Sequence, residues 1–324
     1  MVAVVIRPGG CNVNELTIVM YHYVRDLART RFPDIKGRDL AEFRFQLDHI
    51  ASAYEVVTAE QVMAAVLEEE PLPPDACWLI FENGYFDHYQ HVLPLLLERG
   101  WQGSFYVPAK TVTERQILDV NKIHFTLAST DQPERLVKEI EAFCADARAQ
   151  SEALPSFEEY WQRYAQANRW DTAAVIFVKR MLQKGLPEHL RHACADRLFR
   201  RYVTEDTDAF AAELYLDTHQ LTMMRELGMH LGSHGDAHVW LDALDEQDQA
   251  ADLDASLTFL RGLGVDTDRW TMCYPYGAYD DTTLRLLRER NCTVAAITDP
   301  GVAEVPGSPP LALPRMDTND LPYR

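Results

Sequence analysis

Two histidines and a short turn, distant in the chain, combine residue types that bind metal ions and activate water. His234 and His238 lie four residues apart, and neutral imidazoles at this separation can direct two ring nitrogens at one ion. Glu82 and Asn83 follow an apolar run and offer a carboxylate and an amide oxygen. Metal-assisted hydrolysis needs a Lewis acid and a base for the attacking water. These four side chains predict a hydrolytic metal site.

The spacing of the two histidines is a weak signal by itself. A second pair with the same spacing, His230 and His234, occurs in the same segment. His230 belongs to the apolar run, and we interpret it as a buried or supporting residue. His234 and His238 are favoured as ligands because they come at the end of that run, after a Gly-Ser pair.

The carboxylate of Glu82 leaves two arrangements open. In the first, Glu82 is the base and Asn83 is a weak third ligand beside the two histidines. In the second, Glu82 completes a two-histidine, one-carboxylate site of the kind found in zinc hydrolases. The base is then one of three aspartates: Asp26, Asp236 or Asp299. The plainer interpretation is a strand-to-helix turn, which Asn-Gly favours in any context.

Alternating apolar and amphipathic segments must position these side chains. Apolar runs predict strands at residues 16–21, 54–57, 77–81, 104–107, 229–233, 270–274 and 293–298, with a last strand near 311. Capping residues and helical periodicity predict helices at 39–54, 58–70, 87–99, 244–262 and 281–290. Thr58 and Gln61 form a capping-box pattern, and Asp281 is the predicted cap of the last helix. This alternation is typical of parallel strands with crossover helices, and the number of units predicts a barrel.

The predicted ends of these strands collect the chemistry-bearing residues. In parallel barrels the reacting groups lie at the carboxyl ends of the strands. The residues at those ends are His22, Glu82, Asn83, His234, His238, Asp299 and Arg315. Their convergence is the strongest physical reason to expect one site.

The segment from about 110 to 215 interrupts the alternation. It is rich in Ala, Glu, Arg and Leu and has helical patterns with few strand signals. We interpret residues 1–324 as one domain with a helical insertion at 110–215. Such an insertion is expected to cover the site or to form an interface, which leaves a homo-oligomer open.

The bulk composition restricts the partners. The net charge of -19 disfavours nucleic acids and anionic membrane surfaces as partners. The first ten residues lack the pattern of a secretion signal, and no apolar run is long enough to span a membrane. Six cysteines without a C-x-x-C pair are typical of reduced thiols. We therefore expect a cytoplasmic protein.

Three segments, at 79–85, 232–238 and 273–277, resemble in order and form the leading motifs of the polysaccharide deacetylase (NodB-homology) family. That family removes acetyl groups from sugars with a divalent metal. The resemblance implies a distorted (β/α) barrel and a metal, most often zinc. It also implies that His234 and His238 bind the metal and that residues 82 and 83 supply the base and the third ligand.

The chain departs from the family pattern at several of these positions. Where the family has Asp-Asp, this sequence has Glu82-Asn83, and a neutral amide oxygen is a weaker ligand than a carboxylate. Gly235 replaces a hydroxyl residue, and Cys273 stands where the third motif has an arginine. A thiol cannot replace a guanidinium fork.

The remaining site residues are also assigned through the resemblance. Four residues are expected to form the sugar-binding wall: Tyr85, Tyr274, Pro275 and Tyr276. Arg315 resembles a residue of the closing strand in part of the family and is expected to pair with Glu82 or Asp299. The late histidine of the family has no match, so His22 is the candidate proton donor.

The predicted function is a metal-dependent deacetylase that hydrolyses an amide or ester on a sugar. Because no secretion signal is expected, the substrate would be a nucleotide-linked or lipid-linked intermediate of surface-glycan synthesis, of the O-antigen or capsule type. Two alternatives remain open. One is a catalytically inactive relative that binds a glycan or a partner, and the other is a barrel enzyme that removes a different acyl group.

Overall fold

The computed structural model describes residues 14–150, 153–168 and 171–323. Its larger sheet is built mainly of parallel strands in the order β10-β1-β5-β6-β7-β8-β9. The eleven strands of the described residues are β1 (Glu15–Tyr21), β2 (Val24–Arg25), β3 (Arg38–Asp39), β4 (Glu55–Val56), β5 (Ala76–Glu82), β6 (Ser104–Val107), β7 (His230–Ser233), β8 (Trp270–Cys273), β9 (Cys292–Ala296), β10 (Ala303–Glu304) and β11 (Met316–Asp317).

The two ends of the parallel set are linked by one short segment. Leu313 bridges Ala296 of β9, and Met316 of β11 pairs with Val19 of β1. The residues between them therefore pass from the last parallel strand to the first. The predicted distorted α/β barrel is confirmed. This segment also carries Arg315 to the ends of the strands.

The predicted strands occur where the apolar runs stand, with small changes at their ends. The predicted strand near 311 is only the bridge at Leu313 and the two-residue β11. The antiparallel β10 was not predicted, since its two residues, Ala303 and Glu304, are too short to show a pattern. The small parallel pair of β2 and β3 was also missed for the same reason.

The α-helices alternate with the strands and then form a separate group. They are α1 (Leu40–Ala53), α2 (Ala59–Leu67), α3 (Leu93–Arg99), α4 (Ala109–Thr113), α5 (Asp119–Ala128), α6 (Pro133–Ala149), α7 (Phe157–Tyr164), α8 (Ala173–Arg180), α9 (Glu188–Tyr202), α10 (Thr207–Leu214), α11 (Thr218–Glu226), α12 (Glu246–Gly262) and α13 (Asp281–Glu289). Short π-helices span His88–Val92 and Met181–Gly185, and three 3-10 turns span Leu241–Ala243, Pro275–Gly277 and Thr318–Asp320.

Local signals determine several helix ends. The predicted capping box at Thr58 and Gln61 begins α2, and Gly100 ends α3 in the left-handed conformation with φ 66°. The predicted cap of α13 was wrong by one residue. Asp280, not Asp281, accepts the backbone N–H of Thr283.

Two compact units divide the chain. The first holds the sheet and consists of the residues through Asp26, Gly37–Gln116 and the residues from Ala212 onward. The second consists of Leu27–Lys36 and Ile117–Ala211 and is helical, with its own buried cluster around Phe177, Met181 and Leu198. The predicted single-domain organisation stays a prediction.

Successive side chains of a strand belong in turn to two different apolar clusters. In β5, Leu79 and Phe81 belong to the cluster that includes residues of α1, α3 and α12. Trp78 and Ile80 belong to a second cluster, with alternate residues of β1. Because successive side chains point to opposite faces of a strand, Glu82 lies on the Trp78 and Ile80 face. Burial on both faces explains the continuous apolar run.

The described residues also show the state of the cysteines and the character of the helices. All five described cysteines are buried free thiols: Cys77, Cys144, Cys194, Cys273 and Cys292. Cys11 and the first ten residues lie outside the described ranges. Among the described residues, no helix is long and apolar enough to cross a membrane.

Candidate active site

Glu82, the last residue of β5, is the centre of a buried polar cluster. Only 2% of its surface is exposed. Arg315 donates from Nη1 to Oε1 and from Nη2 to Oε2, the second at 3.3 Å. His22 Nε2 lies 3.3 Å from Oε2, and His234 Nε2 lies 3.9 Å from the same oxygen. One carboxylate thus meets a guanidinium fork and two imidazoles.

The charges around Glu82 keep it ionised. Burial alone would raise the pKa of this carboxyl group, because burial disfavours the charged form. The positive charge of Arg315, with smaller contributions from His234 and His22, outweighs burial and holds the pKa well below its ordinary value. Glu82 is therefore a carboxylate of low basicity at neutral pH.

Cys273 lies beside this ion pair. Its thiol is fully buried within hydrogen-bonding reach of Glu82 and Arg315, and burial raises the pKa of the thiol well above its ordinary value. The family resemblance placed an arginine at this position. Here Arg315, from the far end of the chain, brings the guanidinium to the same carboxylate, so the charge is kept although position 273 has lost it.

Asn83 adopts a left-handed backbone conformation with φ 72° and is 2% exposed. Asparagine tolerates this conformation better than most residues. Its backbone N–H donates to the carbonyl of Tyr106, and its Nδ2 donates to the Tyr85 hydroxyl at 2.9 Å. Its Oδ1 is buried and has no hydrogen-bond partner among the described residues. A buried acceptor without a partner is costly, which is typical of a site that expects a ligand.

His234 comes directly after β7 and is 1% exposed. Its Nδ1 lies 2.6 Å from the carbonyl oxygen of Cys273, which can only accept, so Nδ1 carries the proton. The Nε2 lone pair therefore remains available. Burial lowers the pKa of His234, although Glu82 opposes the shift, so the ring is neutral. A backbone carbonyl that orients an imidazole in this way is common at metal sites.

His238 completes the group with a second neutral ring. Burial, with the nearby His234, holds the pKa of His238 well below its ordinary value. Its ring centre is 4.8 Å from that of His234 and 4.7 Å from that of Tyr276. Its Nδ1 is buried and has no hydrogen-bond partner among the described residues.

These donors fit a divalent cation in kind. Each neutral imidazole and the amide oxygen can offer a lone pair, and two polar atoms of the group, Oδ1 of Asn83 and Nδ1 of His238, are buried without a partner among the described residues. This group of donors carries no negative charge. Glu82 is not counted among them, because Arg315 binds both of its oxygens. Within the described residues, no group of three or more His, Cys, Asp or Glu side chains could hold a metal. The residues that fit are therefore Asn83, His234 and His238, as a weak ligand set.

The histidine at the end of β1 connects the cluster to solvent. The His22 side chain is 37% exposed. Its backbone carbonyl accepts a 2.8 Å hydrogen bond from Nε2 of His88, a fully buried ring at the start of the first π-helix. Burial lowers the pKa of His88 to about 3, so that ring stays neutral. His22 is thus held by its backbone while its ring remains accessible.

The predicted sugar-binding residues divide into buried and accessible members. Tyr85 is fully buried, supports Asn83 and stacks on Tyr23 at 4.2 Å, so it does not line a cleft. Tyr274 is also fully buried and donates to the Leu311 carbonyl, and Pro275 is buried beside it. Those three assignments were wrong, because the apolar strand ends draw these rings inward. Tyr276 is partly exposed.

Tyr276 stacks on a residue that the sequence did not single out. Its ring lies 4.5 Å from Trp240, with only 3° between the planes. Trp240 comes two residues after His238 and is partly exposed. The position of an aromatic residue two places after a candidate ligand was the sequence signal that could have identified Trp240. Tyr276 and Trp240 together form the aromatic wall next to His238.

Two of the candidate aspartates, Asp299 and Asp236, make contacts with groups other than the Glu82 carboxylate. Asp299 is exposed, and its backbone carbonyl, not its carboxylate, accepts the N–H of Arg315 at 3.0 Å. Asp236 lies 3.5 Å from the Lys110 ammonium group. Of the two predicted partners, Arg315 therefore pairs with Glu82 through its side chain, and a catalytic role of the Asp299 carboxylate stays a prediction. His230 is buried and bonds Thr271, as interpreted from its place in the strand.

Residues 198–295, less than a third of the chain, match the family model described as polysaccharide deacetylase. This stretch includes both candidate histidine ligands but not Glu82 or Asn83. A comparison of the sequence with curated proteins finds no match. The match confirms the predicted resemblance and supports the predicted class, a hydrolase that acts on carbon–nitrogen bonds.

Solved structures of low sequence identity share the fold. The Streptococcus pyogenes deacetylase PplD, in complex with acetate, is 16% identical, has a TM-score of 0.56, and the alignment covers 94% of this chain and 92% of that one. IcaB from Ammonifex degensii is 16% identical, with a TM-score of 0.55 and coverages of 93% and 91%. A de-N-acetylase from Aggregatibacter actinomycetemcomitans is 14% identical, with a TM-score of 0.55 and coverages of 94% and 96%.

Proposed function

We propose that the protein is a divalent-metal-dependent deacetylase that hydrolyses the acetyl amide or ester of a sugar. One observation carries this proposal: an ionised, buried Glu82 lies 3.9 Å from His234, and two buried polar atoms of the same group, Oδ1 of Asn83 and Nδ1 of His238, have no hydrogen-bond partner among the described residues. A hydrolase needs this combination of a proton acceptor and an electrophile-binding group in one place.

The metal would be held by Asn83, His234 and His238, with zinc the expected ion because imidazole nitrogen suits it. When bound, such an ion polarises the acyl carbonyl and lowers the pKa of water. The low basicity of Glu82 agrees with this requirement. A carboxylate whose pKa is held well below normal is a weak base, so it would depend on a bound ion to make the water more acidic.

Glu82 accepts the proton of the attacking water. Arg315 holds the carboxylate through both oxygens and so fixes its plane. The bidentate fork resists rotation of the carboxylate better than a single contact would. This favours the arrangement in which Glu82 is the base over the arrangement in which it is a metal ligand.

His22 supplies the proton to the leaving group. Its Nε2 lies 3.3 Å from Glu82, so the proton taken from water can pass between the two. Its partial exposure allows the ring to face a substrate that enters from solvent. The buried His88 fixes the backbone of His22 and thus limits where the ring can move.

The stacked pair of Tyr276 and Trp240 forms a wall for the sugar. Aromatic rings beside the ligand His238 offer an apolar surface to the faces of a pyranose. We propose a nucleotide-linked or lipid-linked sugar of surface-glycan synthesis, of the O-antigen or capsule type, handled in the cytoplasm. The family match and the deacetylase relatives of the fold support the reaction class.

The test is acetate release with metal analysis. We expect about one equivalent of zinc in the purified protein and acetate release from a panel of N- and O-acetylated sugars. Glu82→Gln should retain metal but lose release, while exposed His219→Ala should change neither. Release that persists in Glu82→Gln would refute the assignment of the base.

The neutral donor set also favours a second candidate, an inactive relative that binds a glycan. Without a carboxylate among the three donors, metal affinity would be weaker than in a site with one. This candidate predicts binding of an acetylated sugar with no acetate release, even with excess Zn²⁺. A sugar bound without turnover under those conditions would favour it over the deacetylase.

A further inference from the structure

The loop between the two candidate ligands is held from two sides. It consists of Gly235, Asp236 and Ala237, and the ligands His234 and His238 flank it. His238 itself has a positive φ of 55°. A side-chain-bearing residue pays a steric penalty in this conformation, so neighbouring contacts must maintain it.

One carboxylate on α12 binds the N–H groups of this loop. Asp252 Oδ2 accepts from the backbone of Asp236, and its Oδ1 accepts from Ala237, both at 3.0 Å. Asp252 is 8% exposed, so these are bonds to a largely desolvated charge. Hydrogen bonds to an ionised acceptor are the stronger kind.

The carbonyl groups of the loop are bound from the opposite side. The N–H groups of Ala109 and Lys110, at the start of α4, donate to the carbonyls of Gly235 and Asp236 at 3.2 and 2.9 Å. The Lys110 ammonium lies 3.5 Å from the Asp236 carboxylate. Both edges of the loop are therefore fixed to helices of the same unit.

Glycine at position 235 is required by this contact. Gly235 has φ +74°, and a Cβ there would lie 2.7 Å from Oδ2 of Asp252. The hydroxyl residue expected from the family resemblance would collide with the carboxylate. The glycine and the carboxylate are thus two parts of one arrangement.

We propose that Asp252 is a positioning residue that sets the separation and orientation of His234 and His238. It acts through the backbone of the loop and contacts neither ring. The inference rests on the proposed function, since the two rings matter as ligands. It assigns to α12 a part in the site that neither the family match nor the motifs indicate.

The experiment measures Co²⁺ binding and backbone amide exchange on the full chain. Asp252→Ala should weaken Co²⁺ binding by about 10–100-fold, the usual loss when an outer partner is removed. Asp252→Asn, which keeps one acceptor oxygen, should fall between this variant and the wild type. Exchange should accelerate at Asp236, Ala237 and His238 in both variants, without metal present.

Asp254→Ala is the matched control. Asp254 lies on the same helix and binds Arg290 through both oxygens, at 2.7 and 2.9 Å. Because this ion pair is more exposed, the control should lower the melting temperature less than Asp252→Ala, and it should leave Co²⁺ affinity and the exchange at His238 unchanged. Gly235→Ala should reproduce the Asp252→Ala defect, because its methyl group displaces the carboxylate.

The outcomes separate this inference from the proposed function. If the wild type binds no Co²⁺, the proposed metal site is wrong. The role of Asp252 is then tested by backbone amide exchange at His238 alone. Unchanged exchange at His238 in Asp252→Ala overturns the positioning role. Wild-type Co²⁺ affinity in that variant also overturns it, whatever happens at Asp236 and Ala237.

Discussion

The two halves of the candidate site differ in how many partners their buried polar atoms have. In the charged half, Glu82 is bound by Arg315 through both oxygens and approached by His22, and Nε of Arg315 is its atom without a partner. In the neutral half, Oδ1 of Asn83 and Nδ1 of His238 have no hydrogen-bond partners among the described residues.

This difference indicates separate tasks. A carboxylate in a bidentate ion pair is already stabilised, so Glu82 does not need a ligand to compensate its burial. Buried polar atoms without partners are unfavourable until something binds them. The charged half should therefore matter most for folding, and the neutral half most for ligand binding.

The largest effect is expected from Arg315→Met. It leaves the buried Glu82 charge without its partner, which should lower the free energy of unfolding by about 3–5 kcal/mol. His238→Asn in the neutral half should cost less than about 1.5 kcal/mol, because Asn accepts the positive φ and a group without a partner is removed. Urea unfolding of both variants measures the two losses of unfolding free energy. Equal losses would contradict the difference between the two halves.

Next in size is the effect of His234→Ala on metal affinity. Removing a direct ligand should weaken Zn²⁺ binding by more than the roughly 10–100-fold that the loss of an outer partner causes. Folding stability should change much less than in Arg315→Met. Calorimetric titration measures the affinity, with the exposed His219→Ala as control. Unchanged Zn²⁺ binding would remove His234 from the ligand set.

A second guanidinium position should rescue the charged half. Cys273 lies within reach of both Glu82 and Arg315. In the Arg315→Met background, Cys273→Arg should recover about 1 kcal/mol or more of the lost unfolding free energy, because it again pairs the buried carboxylate. Cys273→Leu in the same background is the control for added volume. Equal recovery by leucine would show that packing, not charge, was restored.

The effect of Asn83→Asp on the melting temperature should change sign when metal is added. Without metal, a second carboxylate beside Glu82 repels it and lowers the melting temperature. With Zn²⁺, the added charge should raise affinity by about tenfold or more, since charges in a partly buried site interact by a few kcal/mol. Thermal unfolding with and without Zn²⁺ tests both signs. A lower melting temperature in both conditions would mean that position 83 does not face the ion.

The smallest effect is expected at an ion pair in the helical unit. The side chain of His192 is half exposed, and its hydrogen bond to Asp119 raises the pKa of the ring. Burial would raise the pKa of Asp119, but His192 and Lys122 lower it. His192→Ala should therefore cost about 1 kcal/mol or less, since solvent screens such pairs.

The pH dependence distinguishes this pair from the buried one. A raised histidine pKa stabilises the fold below the unfolded value of about 6.5, and this is lost as pH rises through the folded pKa. A lowered Asp119 pKa stabilises above about 3.9 and is lost in stronger acid. The effect of His192→Ala should peak between about pH 4 and 6.5. The contribution of Glu82, whose pKa is also lowered, should persist at alkaline pH and decline only in acid.

Much of the fold was predictable because its signals are local. Apolar runs of four to seven residues mark β1, β5, β6 and β7, and the capping box at Thr58 and Gln61 marks the start of α2. The helical character of the insertion was also visible. The two-residue strands β10 and β11 were not, since their pairing depends on distant backbone groups.

The site was predictable in membership more than in arrangement. The rule that chemistry gathers at the ends of parallel strands grouped Glu82 with His22, His234 and Arg315, which surround its carboxylate. The role of Asn83, His234 and His238 as metal ligands stays a prediction. Side-chain direction was harder to predict. Tyr85 and Tyr274 resembled wall residues but point into the packed interior, and Trp240, which no motif marked, stacks on Tyr276 instead.

The sequence by itself determined the alternation of strands and helices and the residue types at each strand end, because these follow from periodicity, capping and turn chemistry. Tertiary structure alone decided that Arg315 pairs with Glu82, 233 positions away, and not with Asp299, and that Asp252 binds the backbone of the loop between the two histidines. Such contacts depend on the path of the whole sheet and on which buried atoms find partners. No local pattern encodes them.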